Sequence, residues 1–395
     1  MRTTTLLVAL ASLAVFVWTL RPAAAQLAPK EPVLVATTPC GKTKISSLPF
    51  TINNCGSYVV TKCLKGVAGQ NGITINTDDV TLDLCGFTLT GVPGSLDGVQ
   101  VTGNRRNVKI RNGFVRDWGG SGIAAGGARN GVYSDLSVSD NGQLGLSVGS
   151  DSSVSNCTAL ENGFTGINGG VGVTFQNCSS QHNGDRGFDS NTGSTYVNCA
   201  AAFNDGNGIV ASGGSAFIDC ATYNNGLNGF ETGSSSTVRG CTARGNGDNG
   251  FIIEGDSTAV GCSSEGNGGN GMIAFLFGNT ITGCTVAFNE GDGIQVETDC
   301  HIANNTVSFN GSGAGGGDGI VVVSIFFGAP TNNRIDGNHV TGNQGVGVNV
   351  PFAGNLIVRN TASDNGTDYL FALLNDVGPI GSAAGSTSPF ANIQF

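Results

Sequence analysis

Charge is scarce in this 395-residue sequence, and lysine is almost confined to its first third. Only 12% of the residues are charged, the net charge is −10, and no lysine follows Lys109. Residues 130–395 hold five arginines against 22 acids. Because an acidic surface repels polyanions, this pattern argues against nucleic acid as a partner. It also leaves arginine as the only strong cation of the C-terminal two thirds.

Long hydrophobic runs are missing after the N-terminus. The longest, residues 320–327, is interrupted by a serine and falls well short of the roughly 20 residues that span a bilayer. Near the start, Arg2, the apolar run 6–17 and the three alanines 23–25 are typical of a secretory signal. We therefore expect residues 1–25 to be removed, no membrane span, and a secreted, periplasmic or cell-surface protein.

An amphipathic helical stripe is absent too, and a repeat of 21 residues stands in its place. CTARGNGDNGF at 241–251 follows CATYNNGLNGF at 220–230, and both lie in a series with a cysteine at position 1, Asn at position 6, Gly at position 10 and a hydrophobic residue at position 11. Each unit contains three short runs of alternating polarity, which indicate strands. A fixed period built only from strands and bends predicts an all-β, single-domain parallel β-helix of about 13 turns.

The first and last recognisable repeats set the predicted domain boundaries. We expect an N-terminal cap in residues 26–70, β-helix repeats in 71–375 and a Gly/Ser/Ala-rich tail in 376–395.

The cysteines divide into two groups. Those of the repeat are expected to form an inward file of reduced thiols, since parallel neighbours stand too far apart for a disulfide; they are Cys157, Cys178, Cys199, Cys220, Cys241, Cys262 and Cys284. Four others are irregularly spaced, and in an exported chain they predict two cap disulfides in one of three pairings; they are Cys40, Cys55, Cys63 and Cys85. Cys300 is expected to stay free.

The Asn of position 6 is expected at a bend, where its amide can hydrogen-bond its copy in the next turn. A column that recurs in every turn has a structural role and does not mark one active site.

The segment NGITINTDDVTLDLCGFTLTG, residues 71–91, and the NG…GI units after it resemble the right-handed parallel β-helix repeat proteins of the pectate-lyase-like superfamily. The resemblance covers residues 40–375. It implies a right-handed coil and a preference for polysaccharides, but it matches no particular enzyme family. No Gly-His-Gly motif of polygalacturonases is present, and residues 186–191 keep only the Gly and Asp of the mannuronan epimerase motif.

A catalytic site on such a coil would use outward side chains that break the column pattern. Asp189 and Glu231 occupy position 12 two turns apart, which places their Cα atoms about 9.6 Å from each other. Their carboxyl groups could then fall within the roughly 6.5 to 9.5 Å that separates the two carboxyl groups of inverting glycosidases. Arg186 and His182 precede Asp189 in the same turn. These four residues are the candidate catalytic group, with a solvated surface as the alternative interpretation.

A candidate substrate-binding patch lies in the early turns. Arg105, Arg106, Arg116 and Trp118 could offer a basic surface with an aromatic platform for an acidic sugar. The alternative is that Trp118 covers neighbouring turns. The three histidines fall at different positions of different turns and predict no metal site. We expect no cofactor, with Ca²⁺ at a bend left open.

The sequence is compatible with three functions. The first is a carbohydrate-interacting surface or extracellular protein without catalysis, bound to a polysaccharide or cell-surface glycan. The second is a polysaccharide-modifying hydrolase, lyase or epimerase with its acidic site on the middle turns. A broken file of Thr and Ser at position 2 leaves ice binding as a third.

Overall fold

The computed structural model describes residues 41–326 and 328–395. The described chain contains strands, turns and bends and no helix. Lys42–Phe395 forms one compact unit, a right-handed parallel β-helix, which confirms the predicted fold class. No helix in the described part is long and apolar enough to cross a membrane. The predicted signal segment and Cys40 lie outside the described residues.

Each turn contributes strands to three sheets, and strands one turn apart pair in parallel. Sheet 1 has 15 strands: Phe50–Ile52, Ile73–Ile75, Val99–Val101, Ile123–Ala125, Leu146–Val148, Ile167–Gly169, Phe188–Ser190, Ile209–Ala211, Phe230–Thr232, Phe251–Ile253, Met272–Phe277, Ile294–Thr298, Ile320–Val322, Val346–Val350 and Thr367–Phe371.

Sheet 2 contains Thr43–Ile45, Gly56–Val60, Val80–Asp83, Ser153–Ser155, Thr174–Gln176, Thr195–Val197, Ala216–Ile218, Thr237–Arg239, Thr258–Val260, Thr280–Thr282, His301–Ala303, Arg334–Asp336, Leu356–Val358 and Asp376–Val377.

Sheet 3 contains Leu64–Lys65, Thr88–Thr90, Thr158–Leu160, Ser179–Gln181, Ala200–Ala202, Ala221–Tyr223, Thr242–Arg244, Ser263–Glu265, Thr285–Ala287, Thr306–Ser308, His339–Thr341, Thr361–Ser363, Ile380–Gly381 and Asn392–Gln394. Two longer strands, Lys109–Arg116 and Val132–Ser139, run through both sheets 2 and 3 and join them.

The coil has about 16 turns, three more than the repeat predicted. The extra turns lie at the ends, where strands begin at Thr43 and continue to Gln394. Those turns lack the cysteine of position 1. The residues between sheet 1 strands are also more numerous there, so the 21-residue period does not detect them.

The core follows the predicted inward columns. The repeat cysteines are buried, and Phe175, Tyr196 and Phe217 stack in successive turns with ring centroids 4.6 and 5.1 Å apart. Most strands of sheet 1 direct two residues inward, and most short strands of sheets 2 and 3 direct one. These side chains fill the coil, so no second layer is needed to cover the sheets.

The Asn of position 6 forms the predicted amide ladder. Asn204 Nδ2 donates to Asn225 Oδ1 at 2.9 Å, and Asn225 Nδ2 donates to Asn246 Oδ1 at 2.9 Å. Each Oδ1 also accepts the backbone N–H of the preceding Asn, as in Asn204 N to Asn225 Oδ1 at 3.2 Å. The ladder therefore satisfies buried polar groups from the bends along the coil.

The predicted cap disulfides are not found. Cys55, Cys63 and Cys85 are free and exposed, and the described residues contain no disulfide. Cys55 precedes the strand Gly56–Val60, whereas Cys85 follows its partner strand Val80–Asp83, so these two lie at opposite ends of a strand pair. The seven repeat cysteines are free and buried, as predicted, and Cys300 is free, as predicted, and is buried too.

Candidate functional site

Asp189 and Glu231 lie on the outer surface of sheet 1, in one column of aligned residues. The register places Asp189, Val210 and Glu231 on three successive strands, with Asn168 before them and Ile252 after them. The two carboxylates are therefore two strand spacings apart, about 9.6 Å between Cα atoms. Half-buried Val210 separates them.

These side chains border one groove of about 620 Å³. Arg186 lies at one end and Glu254 at the other, with Asp189, Val210 and Glu231 between them. The bend after sheet 1 supplies the opposite wall, which is lined by Asn191, Ser212, Gly213, Gly233 and Ser234. Small residues in these bend positions leave the groove open along the coil axis, next to the charged column.

Each carboxylate of the column is held by one side chain. Arg186 Nη1 donates to Asp189 Oδ2 at 2.9 Å, and both groups are partly exposed. Asn207 Nδ2 donates to Glu231 Oε2 at 2.8 Å. The other oxygen of each carboxylate is left for a ligand or solvent, so the groove presents oriented acceptors beside one cation.

A second amide ladder positions these contacts, and the sequence analysis missed it. It runs along position 9, where Asn228 N donates to Asn207 Oδ1 at 2.9 Å and Asn249 N donates to Asn228 Oδ1 at 3.1 Å. The signal was visible as Asn at position 9 in four consecutive turns. Arg186 occupies position 9 one turn before this run, which is why its guanidinium reaches the groove.

His182 does not belong to the groove. It lies at the bend between sheets 3 and 1, exposed, with its ring stacked on Phe203 at 5.1 Å between centroids. Three residues separate it from Arg186 around that bend. Of the four predicted catalytic residues, the structure therefore brings together only Arg186, Asp189 and Glu231.

Trp118 is buried, with 1% of its surface exposed, so the expectation of an exposed aromatic platform is wrong. Its Nε1 donates to the Leu89 carbonyl at 3.1 Å, and its ring occupies space left by glycines of earlier turns. A Cβ atom on Gly66 or Gly72 would lie 2.6 Å from Trp118 Cη2. The glycines admit the indole into the coil, where it fills the interior.

The predicted basic residues of the early turns do not form one surface. Arg105 and Arg106 follow sheet 1, and Arg105 Nε donates to the Thr102 carbonyl at 3.0 Å. Arg116 ends the long strand Lys109–Arg116 on sheet 3 and pairs with Asp117 at 3.0 Å. The two groups therefore lie at different corners of the coil, with sheet 2 between them.

Two turns are longer than the repeat of 21 residues: one residue is added around Phe275, and about twelve are added between Asn305 and Asn338, some of them around Phe326. A buried carboxylate holds both insertions. Glu297, 1% exposed, accepts the backbone N–H of Ile325 at 2.9 Å and of Phe326 at 2.8 Å. Its other oxygen accepts the N–H of Leu276 at 2.8 Å. Phe275 and Phe326 then meet edge to face, so the two insertions form one loop cluster on the flank of the coil.

Within the described residues, no three His, Cys, Asp or Glu side chains are arranged to hold a metal ion.

Comparison with known proteins gives a family match and several distant structural likenesses. The family model described as a right-handed β-helix region matches residues 50–200, 189–324 and 277–377. No curated protein sequence matches the chain.

Among solved structures, the A-module of a mannuronan C-5 epimerase of Azotobacter vinelandii is 18% identical, with a TM-score of 0.36 over 89% of this chain and 87% of that one. The Dettilon tailspike protein is 12% identical, with a TM-score of 0.42 over 84% of this chain and 62% of that one. At these scores no activity is transferred to this chain.

Proposed function

The chain belongs to the right-handed β-helix family, and on this premise we propose that it is an exported protein that binds a polysaccharide in the groove on sheet 1. The observation that supports the proposal is the convergence of Arg186, Asp189, Glu231 and Glu254 on one open volume. A signal-like N-terminus supports export.

The groove has the composition of a sugar site. Val210 gives an apolar floor between two carboxylates, and Ser212 and Ser234 line the opposite wall with hydroxyl-bearing side chains. Carboxylates and hydroxyls accept and donate hydrogen bonds to sugar hydroxyls, while the apolar floor contacts the C–H groups of a ring. Because the groove runs along the stacked turns, it suits a chain of sugar units.

A second candidate function is hydrolysis with inversion, and the spacing of Asp189 and Glu231 favours it. Their Cα atoms are about 9.6 Å apart, so carboxyl groups that lean slightly toward each other leave room for a water molecule and a glycosidic bond. Asp189 lies beside the Arg186 cation and suits the base that activates the water. Glu231 accepts only from the uncharged Asn207 amide and suits the acid that protonates the leaving oxygen.

The test is a screen of the purified protein against uronate and neutral polysaccharides, with and without Ca²⁺. Binding is measured by affinity electrophoresis, and cleavage by new reducing ends and by the absorbance of unsaturated ends. We expect Asp189→Asn and Glu231→Gln each to weaken binding about tenfold or more, because each removes a charged acceptor from the groove. Asp205→Asn, an exposed acid outside the groove, is the matched control.

The outcomes separate the two functions. Binding without product, lost in both groove variants, supports the binding role. Product that disappears in Asp189→Asn while binding persists supports hydrolysis. If neither binding nor product responds to either substitution, the groove is not the site.

A further inference from the structure

The bend between sheets 3 and 1 contains a column of left-handed residues at position 5 of the turn. Their φ angles lie between +49° and +67° in every turn from Asp140 to Asp364; they are Asp140, Glu161, His182, Phe203, Asn224, Gly245, Gly266, Phe288, Phe309, Gly342 and Asp364. Gly and Asn adopt this conformation readily, whereas a bulky side chain costs roughly 1–2 kcal/mol. The phenylalanines of this column therefore adopt a backbone conformation that is unfavourable for their residue type.

Side chains of the column lean over the following turn. The Phe309 ring covers Gly342, because a Cβ atom there would lie 2.6 Å from Phe309 Cε1. Asn224 covers Gly245 in the same way. Phe288 stacks on Phe309, with ring centroids 5.2 Å apart and planes 9° from parallel.

The column is interrupted above Gly266. Since Gly245 has no side chain to lean forward, a Cβ atom placed on Gly266 meets nothing within 4 Å. The Phe288 ring is 54% exposed, and its face opposite Phe309 is directed toward this gap. We name the gap between Asn224 and Phe288 the corner slot; it spans about three strand spacings, about 14.4 Å.

Polar side chains border the corner slot on the side of sheet 3. Arg244 and Glu265 end adjacent strands of sheet 3, with Arg244 Nε 3.8 Å from Glu265 Oε2. An aromatic face with polar groups at its rim is the usual composition of a small-molecule site, and strain at an exposed side chain points to a role beyond folding.

We propose that the corner slot binds one pyranose ring of a neutral oligosaccharide, stacked on the free face of Phe288. Axial C–H groups of the sugar would cover the ring, and Arg244 and Glu265 would reach its hydroxyls. Arg244 and Glu265 carry opposite charges, so the rim has no net charge and suits an uncharged sugar better than a uronate. The slot lies at the bend before sheet 1, whereas the groove lies over sheet 1 and the bend after it, so the two sites are separate.

Two substitutions test the slot by opposite routes, with cellohexaose as the probe and calorimetry as the measurement. Phe288→Asn removes the aromatic face and replaces it with a residue suited to φ +58°. Gly266→Asn fills the gap with a side chain. Asn tolerates the left-handed backbone at this position, and a Cβ atom there has no neighbour within 4 Å. We expect each to weaken binding about tenfold or more.

The controls use the same chemistry elsewhere. Phe203→Asn makes the same exchange on the same column outside the slot and should leave the affinity for cellohexaose unchanged. Asp189→Asn alters the groove and tests whether the sugar binds there instead. Circular dichroism and melting temperature verify that each variant folds. No binding by the parent protein at millimolar cellohexaose, or unchanged affinity in both slot variants, would overturn the inference. Affinity lost only in Asp189→Asn would assign the sugar to the groove, which leaves the proposed function standing and removes the slot.

Discussion

At the scale of single residues, the strongest ion cluster surrounds a buried carboxylate near the C-terminal end. Asp336, 5% exposed, accepts from Arg359 Nε at 2.6 Å and from Arg334 Nη2 at 2.6 Å. Hydrogen bonds from Arg359, joined by those from Arg334, hold the pKa of Asp336 below its ordinary value. The folded state therefore favours the ionised form of this carboxyl.

This cluster predicts a pH dependence of stability. Because the folded-state pKa of Asp336 is lowered, its contribution is present above the ordinary Asp value and is lost as pH falls through the folded-state value. Asp336→Asn should lower the urea midpoint at pH 7, and the difference from the parent should shrink below about pH 4. Urea titrations at several pH values measure it. A difference that stays constant down to pH 2 would show that the ion pairs do not carry the effect.

Residue type alone did not show which way an aromatic side chain points. The sequence left two alternatives for Trp118, an exposed platform or a side chain packed against neighbouring turns. The side chain lies inside, because Gly66 and Gly72 of earlier turns leave room for its ring. Asp189 and Glu231 were predicted to share a column, and the register confirms it. The prediction was possible because each turn between them has the same 21 residues, so the residues at position 12 stay aligned. Whether they act on a ligand stays a prediction.

At the scale of one structural element, the amide ladder of position 6 links turns that touch only their neighbours. Asn225 Oδ1 accepts two hydrogen bonds from Asn204, and Asn225 Nδ2 donates to Asn246 Oδ1 and to the Ala201 carbonyl at 3.1 Å. Removing one amide therefore leaves buried groups unpaired on both sides of its turn.

Asn225→Ala should destabilise the fold by about 3 kcal/mol, because several buried donors and acceptors lose their partner. Thr237→Ala, exposed on sheet 2, should change stability by less than about 0.5 kcal/mol. Denaturation with guanidinium chloride measures both. Equal midpoints for the two variants would mean that water replaces the missing amide without cost.

The ladders also show why part of the bend chemistry was predictable. Position 6 is Asn in turn after turn, so its role followed from repetition. Position 9 changes from Thr165 to Arg186 to Asn207, and the second ladder starts only where the run of Asn begins. The left-handed column at position 5 has no constant residue type, so its backbone conformation was not visible in the sequence.

At the scale of the whole molecule, the cysteines separate into an outer and an inner population. Cys55, Cys63 and Cys85 are exposed, whereas the repeat cysteines lie inside a continuous core. Burial also raises the pKa of Cys300 to about 11, which disfavours its reactive thiolate.

Alkylation should therefore distinguish the two populations in the native protein. We expect iodoacetamide to label Cys55, Cys63 and Cys85, and to label Cys157, Cys241 and Cys300 more than about a hundredfold more slowly, only through unfolding. Mass spectrometry of the labelled peptides gives the rate at each site. Rapid labelling of the inner cysteines would indicate that the middle turns open locally.

Because the register of the middle turns is constant, duplication or deletion of a whole repeat can change the number of turns and leave the strand pairing intact. Removing residues 199–219 would delete one complete repeat. Each residue of the preceding turn would then pair with the residue that now lies two turns away, because both pair with the same residue of the deleted turn. Asp189 and Glu231 would then become direct neighbours, about 4.8 Å apart. In a coil of this kind, the gain or loss of one gene segment of 63 nucleotides, three for each of the 21 residues, can convert one carboxylate spacing into another without a single point mutation.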